Sequence, residues 1–115
     1  MTISDVMSFQ SIINELNQSI QQYNFAVTDQ YQHNNHLELV ISQNDALPIE
    51  LIIDYHYGKP FKFQINPPKS FGTEYLDLIY TITHQIQHTL FKLNPKIIKD
   101  TIIHHWRNPI LRKKD

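Results

Sequence analysis

At 115 residues and with no cysteine, the chain is long enough for one domain with its own core, and it cannot build a disulfide framework, a thiolate metal site or a cysteine nucleophile. The formal net charge of −1 hides an uneven distribution: up to Gly58 there are seven acidic residues and no lysine or arginine, and from Lys59 onward ten basic residues face four acidic ones. Two arrangements satisfy that distribution, acidic and basic elements placed side by side, or a basic face turned to an acidic partner.

The first ten residues lack the basic-then-apolar order of a secretory signal, and no run approaches the ~18 apolar residues of a membrane-spanning helix. A cytoplasmic location without membrane contact is the expectation. Over residues 4–23, Phe9, Ile12, Ile13, Leu16, Ile20 and Tyr23 recur at helical spacing, with Asn14, Glu15, Gln18, Gln21 and Gln22 between them. Ser4 or Ser8 is placed to cap this helix, and its single apolar stripe predicts packing against the domain's own sheet. Two strands follow. Phe25, Val27 and Tyr31 are expected on one face of the first, and Leu37, Leu39 and Ile41 alternate with Glu38 and Val40 in the second. His33-Asn34-Asn35 is turn chemistry, because asparagine tolerates a left-handed backbone, and the pair His33 and His36 is expected to flank a wet turn.

Gln43-Asn44-Asp45 turns the chain into residues 48–65, PIELIIDYHYGKPFKFQI, which read as a β-hairpin. Ile49, Leu51, Ile53 and Tyr55 share one face, and Glu50, Ile52, Asp54 and His56 the other. A three-residue loop at Tyr57-Gly58-Lys59 pairs Tyr55 with Phe61, Asp54 with Lys62, Ile53 with Phe63 and Leu51 with Ile65; a two-residue loop sets apolar against polar faces. Asn66-Pro67-Pro68 ends the sheet. A helix is predicted over residues 73–93, with Leu76, Ile79, Ile82, Ile86, Leu90 and Leu93 as its stripe. Asn94-Pro95 reads as the start of a third helix carrying Ile98, Ile102 and His105 or Trp106 to about Asn108. The expected fold is therefore α+β: an N-terminal helix, a four-stranded antiparallel meander with one face covered and one wet, and two C-terminal helices packed on one sheet face. Residues 1–108 form a single domain and 109–115 a basic tail.

Seven histidines raise metal binding and proton transfer. The best spacing is His84-Gln85-Ile86-Gln87-His88, an i,i+4 pair within reach of one cation; a third ligand must come from elsewhere, with His104, His105 and His56 as candidates, because Asp77 stands two turns away. Gln85 occupies the place where a zinc-protease helix carries its glutamate base, and a solvated helix face accounts for the pair without a metal. No serine stands in a nucleophile-elbow setting, and two glycines write no phosphate-cradling loop. Asp54, Lys62 and Glu50 faintly suggest a nuclease-like carboxylate–lysine set, which a cross-strand ion pair explains more simply. The basic cluster Lys92, Lys96, Lys99, Arg107, Arg112, Lys113 and Lys114 suits phosphates, although Trp106 alone makes no stacking platform.

The stretch LPIELIIDYHYGKPFKFQINPP followed by IIKDTIIHHW, in the order helix, meander, proline exit and helices, resembles the RWD domains, relatives of the ubiquitin-conjugating fold. The family's tyrosine-proline-x-x-x-proline turn is missing; Tyr57, Pro60 and Pro67-Pro68 stand near its place. Without cysteine, thioester chemistry is excluded, so the resemblance implies a catalytically inactive scaffold that binds other proteins. The sequence reading is thus a non-enzymatic protein–protein interaction module, of an adaptor, immunity or chaperone-like kind. Its expected contact residues are Ile52, Asp54 and Lys62 on the exposed sheet face, with Glu50, and Lys96, Lys99, Trp106 and Arg107 on the basic helix. No cofactor is implied, and self-association is left open. The alternatives are a nucleic-acid-binding protein using the basic C-terminus, and a metal-binding protein or metal-dependent hydrolase using His84 and His88.

Overall fold

The computed structural model describes residues 8–56 and 59–100. Helix α1 runs over Phe9–Ile20, where the Ser8 hydroxyl accepts the Ser11 N–H at 3.4 Å. It closes through a 3-10 turn at Gln21–Tyr23, and Asn24 takes the left-handed conformation (φ 64°) that lets the chain reverse into the sheet. The Asn17 side chain then accepts the Val27 N–H at 2.9 Å, tying the helix to the strand that follows it.

Five strands form one sheet in sequence order: β1 (Ala26–His33), β2 (His36–Gln43), β3 (Ala46–Asp54), β4 (Lys62–Asn66) and β5 (Ile98–Lys99). The first four are antiparallel neighbours, and β5 pairs parallel to β4 after the crossover through helix α2 (Leu76–Leu93), which a 3-10 turn at Thr73–Tyr75 precedes. The hairpin register matches the sequence reading, with Asp54 opposite Lys62, Ile53 opposite Phe63 and Leu51 opposite Ile65. The Tyr55 and Phe61 rings stack at 4.5 Å. Residues 57–58 of its loop lie outside the described residues, and beside them the Lys59 N–H donates to the His56 carbonyl at 2.9 Å.

Both helices lie on one side of the sheet. Ile12, Leu16 and Ile20 of α1 and Ile79, Ile82, Ile86 and Leu90 of α2 share one cluster with Leu37, Leu39, Ile41, Ile49, Leu51, Ile53 and Phe63. Period-two alternation supplies the sheet half of this layer and 3.6-residue periodicity the helix half. Polar ties fix how the helices meet: the Thr89 hydroxyl donates to the Ser19 hydroxyl at 3.1 Å, and the Gln85 amide to the Ser19 carbonyl at 3.5 Å.

Three expectations are corrected. The sheet has five strands rather than four and is mixed. The chain after Asn94 is not the start of a helix: the Asn94 side chain accepts from Lys96, and its carbonyl from Ile97 at 3.0 Å, which closes a turn. The Ile98 and Asp100 N–H groups then donate to the carbonyls of Phe61 and Phe63 at 2.8 and 2.7 Å. Those carbonyls belong to the edge of β4, and pairing them outweighs a weak local preference for helix. The rest of the predicted third helix, with the tail 109–115, lies outside the described residues. Tyr31, finally, does not share a face with Val27. A bulge between Val27 and Asp29 places Asp29 opposite Val40 and Tyr31 opposite Glu38, on the side away from the helices.

Leu51 is fully buried in the middle strand and touches the layer shared by both helices. Leu51→Ala is expected to cost about 2–5 kcal/mol of unfolding free energy, measured by urea denaturation, with the slope against denaturant unchanged.

Candidate functional site

The same alternation that sends leucine and isoleucine into the core sends a polar set to the outer face. These are His36, Glu38 and Ser42 on β2, Glu50 and Asp54 on β3, and Lys62, Gln64 and Asn66 on β4, with Val40 and Ile52 among them. Beyond its bulge, β1 adds Asp29 and Tyr31.

His36 is the hinge of this set. Its Nδ1 meets Asp54 Oδ1 at 2.5 Å, directly across the β2–β3 pair, and its Nε2 meets Glu38 Oε2 at 2.6 Å, two residues along its own strand. The hydrogen bonds to Asp54 and then to Glu38 hold the imidazolium, and together they outweigh the burial that opposes its charge, raising the His36 pKa from 6.5 to about 9. Both ring nitrogens then donate. Glu38 is fully buried, and its second oxygen, Oε1, accepts no hydrogen bond.

Glu50 lies one diagonal step from Glu38. The Gln64 amide donates to Asn66 Oδ1 at 2.9 Å, and the Asn66 amide donates to Glu50 Oε1 at 2.7 Å, a relay from β4 to β3. Burial drives the Glu50 pKa from 4.5 up to about 7, the Asn66 hydrogen bond opposes the rise, Glu38 adds to it and Lys69 moderates it. The outer face therefore holds a fixed imidazolium and a carboxyl group that titrates near neutrality.

The residues expected from the sequence fall in different places. Asp54 is in the cluster, bound to His36. Lys62 is exposed at the margin of the same face. Glu50 and Ile52 are buried, so they are not the exposed contacts expected of a wet sheet face. Lys96 and Lys99 are exposed near the edge strand, whereas Trp106 and Arg107 lie outside the described residues. His84 and His88 are exposed on α2. His84 leans on Tyr80, their rings 4.3 Å apart, and His88 lines an open polar groove of about 270 Å³ between α1 and α2 with Glu15, Gln85 and Lys92. Among the described residues no group of three His, Asp or Glu side chains is placed to hold a metal ion. Of the third ligands considered, His56 is exposed at the hairpin end, and His104 and His105 lie outside the described residues.

His36 and Glu38 are the residues that sequence reasoning missed. The signal was available in the register. A two-residue turn at Asn44-Asp45, both with positive φ, sets Gln43 opposite Ala46. Continued without interruption, that register puts Glu38 opposite Leu51, polar against apolar. Face matching demands a bulge, and the observed one between Ile41 and Gln43 brings His36 opposite Asp54.

The two shifted groups act on stability in the same direction. A histidine whose folded pKa is raised contributes fully below pH 6.5, and the contribution is lost as the pH rises through about 9. A carboxyl group raised from 4.5 to about 7 costs nothing below 4.5 and costs its full amount above 7. The protein is expected to lose stability steadily from about pH 4.5 to 9, by an amount on the order of 3 kcal/mol for His36. Chemical denaturation across that range is the measurement. Glu50→Gln flattens the lower half of the profile, and His36→Gln flattens the upper half while destabilising the protein at pH 6.

Compared with known family models, with curated proteins and with solved structures, the chain matches none.

Proposed function

We propose that the chain is a non-catalytic protein-recognition module whose contact surface is the exposed side of α2. One observation carries this reading: α2 is apolar on two sides. Ile79, Ile82, Ile86 and Leu90 face the core, which is all the domain needs from this helix. Leu76, Tyr80 and Phe91 nevertheless stand 58%, 65% and 39% exposed. At 100° per residue these three, with His84, fall within a stripe about 80° wide that runs beside the buried one. His84 flanks Tyr80 and reduces the freedom of the ring.

Large, stiff aromatic side chains on a rigid helix are what a recognition surface uses as anchors, and contiguous exposed apolar groups on a monomer mark such surfaces. Phe91 packs edge-on against Phe63 at 5.6 Å, and Phe63 is the sheet neighbour of Lys99. Lys99, with Lys92 in the last turn of α2, thus supplies a basic rim at that end of the stripe. The partner that fits is a protein surface that is apolar at its centre and acidic at one margin.

Tyr80→Ser and Leu76→Ser remove exposed groups, so each is expected to leave the thermal midpoint nearly unchanged, with stability effects within about 0.5 kcal/mol. Capture from lysate of the source organism with a photo-crosslinking residue at position 80 is expected to retain one protein, with or without nuclease. In the Tyr80→Ser, Leu76→Ser double variant its affinity is expected to fall at least about tenfold. Undiminished binding by that variant would remove α2 as the surface, and recovery of nucleic acid in place of protein would replace the reading with a phosphate-binding one.

A further inference from the structure

The outward stripe of α2 has the pattern of a surface that complements itself. Leu76 and Phe91 stand at its two ends and Tyr80 lies inside them. At 100° per residue Gln87 falls between Leu76 and Tyr80 on the same side, and Thr83 and His84 border the stripe at its midpoint. The charges divide at that same midpoint. Residues 73–83 hold Glu74 and Asp77 and no basic side chain, and residues 84–93 hold His84, His88 and Lys92 and no acidic one. Asp77, His88 and Lys92 are all exposed, and among the described residues none of the three forms an ion pair.

We propose that the partner of this stripe is a second copy of the chain, docked α2 against α2 in antiparallel order about a two-fold axis between Thr83 and His84. The inference rests on the recognition role proposed for α2 and names its partner. In this register Leu76 of one copy meets Phe91 of the second copy, and Tyr80 meets Gln87. The Tyr80–His84 ring pair of each copy lies beside the axis. A two-fold axis across antiparallel helices keeps each flank on its own side. Asp77 and His88, only about 20° apart around the helix, therefore face each other between the copies, with Lys92 one turn further on. Each such contact is made twice.

Charge selects this occupant and this direction. The stripe fits a surface that is apolar at its centre and acidic at one margin, and α2 with Glu74 and Asp77 at its start is such a surface. Lys99, beside the Phe63 ring that Phe91 packs against, extends the basic end. A parallel pair would set Asp77 beside Asp77 and Lys92 beside Lys92, and like charges placed together oppose docking. Helix α1 does not block the approach. It meets α2 through Gln85 and Thr89, which lie about 140° or more from the centre of the stripe.

Sedimentation of the full chain from micromolar to millimolar concentration is expected to show a reversible monomer–dimer equilibrium that weakens with added salt. In the Tyr80→Ser, Leu76→Ser double variant the dissociation constant is expected to rise at least about tenfold. Asp77→Lys and Lys92→Asp change exposed positions, and each puts like charges at both ends of its homodimer, weakening it about tenfold. An equimolar mixture of the two restores opposite charges at both ends and is expected to dimerise as the native chain does. Direction is read from disulfides, because the chain has no cysteine of its own. Asp77→Cys mixed with His88→Cys is expected to cross-link under mild oxidation, and Asp77→Cys alone is not. A dimer indifferent to the double variant, or an Asp77→Cys homodimer, would overturn the proposal. A chain that stays monomeric yet captures a different protein through position 80 would overturn self-association alone; a monomer that captures nothing would overturn the recognition role of α2 as well.

Discussion

Strict alternation along β2 and β3 is the constraint on which the other features depend. It sends Leu37, Leu39, Ile41, Ile49, Leu51 and Ile53 into one layer with both helices, and with equal stringency it sends Glu38, Val40, Glu50 and Ile52 to the other side. A slip of one residue in either strand would turn acidic side chains into the helix-facing core and remove three aliphatic side chains from it. The two bulges are the devices that keep this parity across turns whose geometry would otherwise break it. One lies between Val27 and Asp29, the other between Ile41 and Gln43. The left-handed backbone at Asn34, Asn44 and Asp45 makes the tight turns possible, and Leu47, also at positive φ, belongs to the second irregularity.

The outer face shows how a sheet tolerates buried charge. Glu38 is made acceptable by His36, which Asp54 grips from the other side, so two carboxylates share one imidazolium. Such an arrangement adds little net stability over an apolar equivalent, but losing His36 leaves the Glu38 and Asp54 charges without the cation they share. Glu50 accepts a hydrogen bond from Asn66, and burial pushes it towards its neutral form. The pH response of the fold arises from this one cluster, because the alternation that builds the core also concentrates acidic residues on the opposite side.

Helix α2 works in two directions. Its buried stripe and the polar ties of Thr89 and Gln85 to Ser19 set it firmly against α1 and the sheet. The proposed recognition role of the outward stripe of Leu76, Tyr80 and Phe91 rests on that rigidity, since side chains on a packed helix lose little further freedom on meeting a partner.

The first helix, the four antiparallel strands, the β3–β4 register and the proline-marked exit were legible because each follows from short-range rules: apolar spacing, turn chemistry and the missing N–H of proline. The helix of residues 73–93 was legible for the same reason, and Ile79, Ile82, Ile86 and Leu90 of its predicted stripe are buried, whereas Leu76, expected in that stripe, is exposed. Asn94-Pro95 read equally well as a helix start, and only the free carbonyls of Phe61 and Phe63, more than thirty residues away in the chain, turned the following residues into a strand. His33 and His36 looked alike beside one turn, yet His36 alone is drawn to Asp54, eighteen residues on, by a bulge that local propensity does not announce. Periodicity by itself determined which side chains share a face, because it is a property of the backbone; the tertiary structure decided what each face meets, because that depends on hydrogen bonds and charges contributed by residues far apart in the chain.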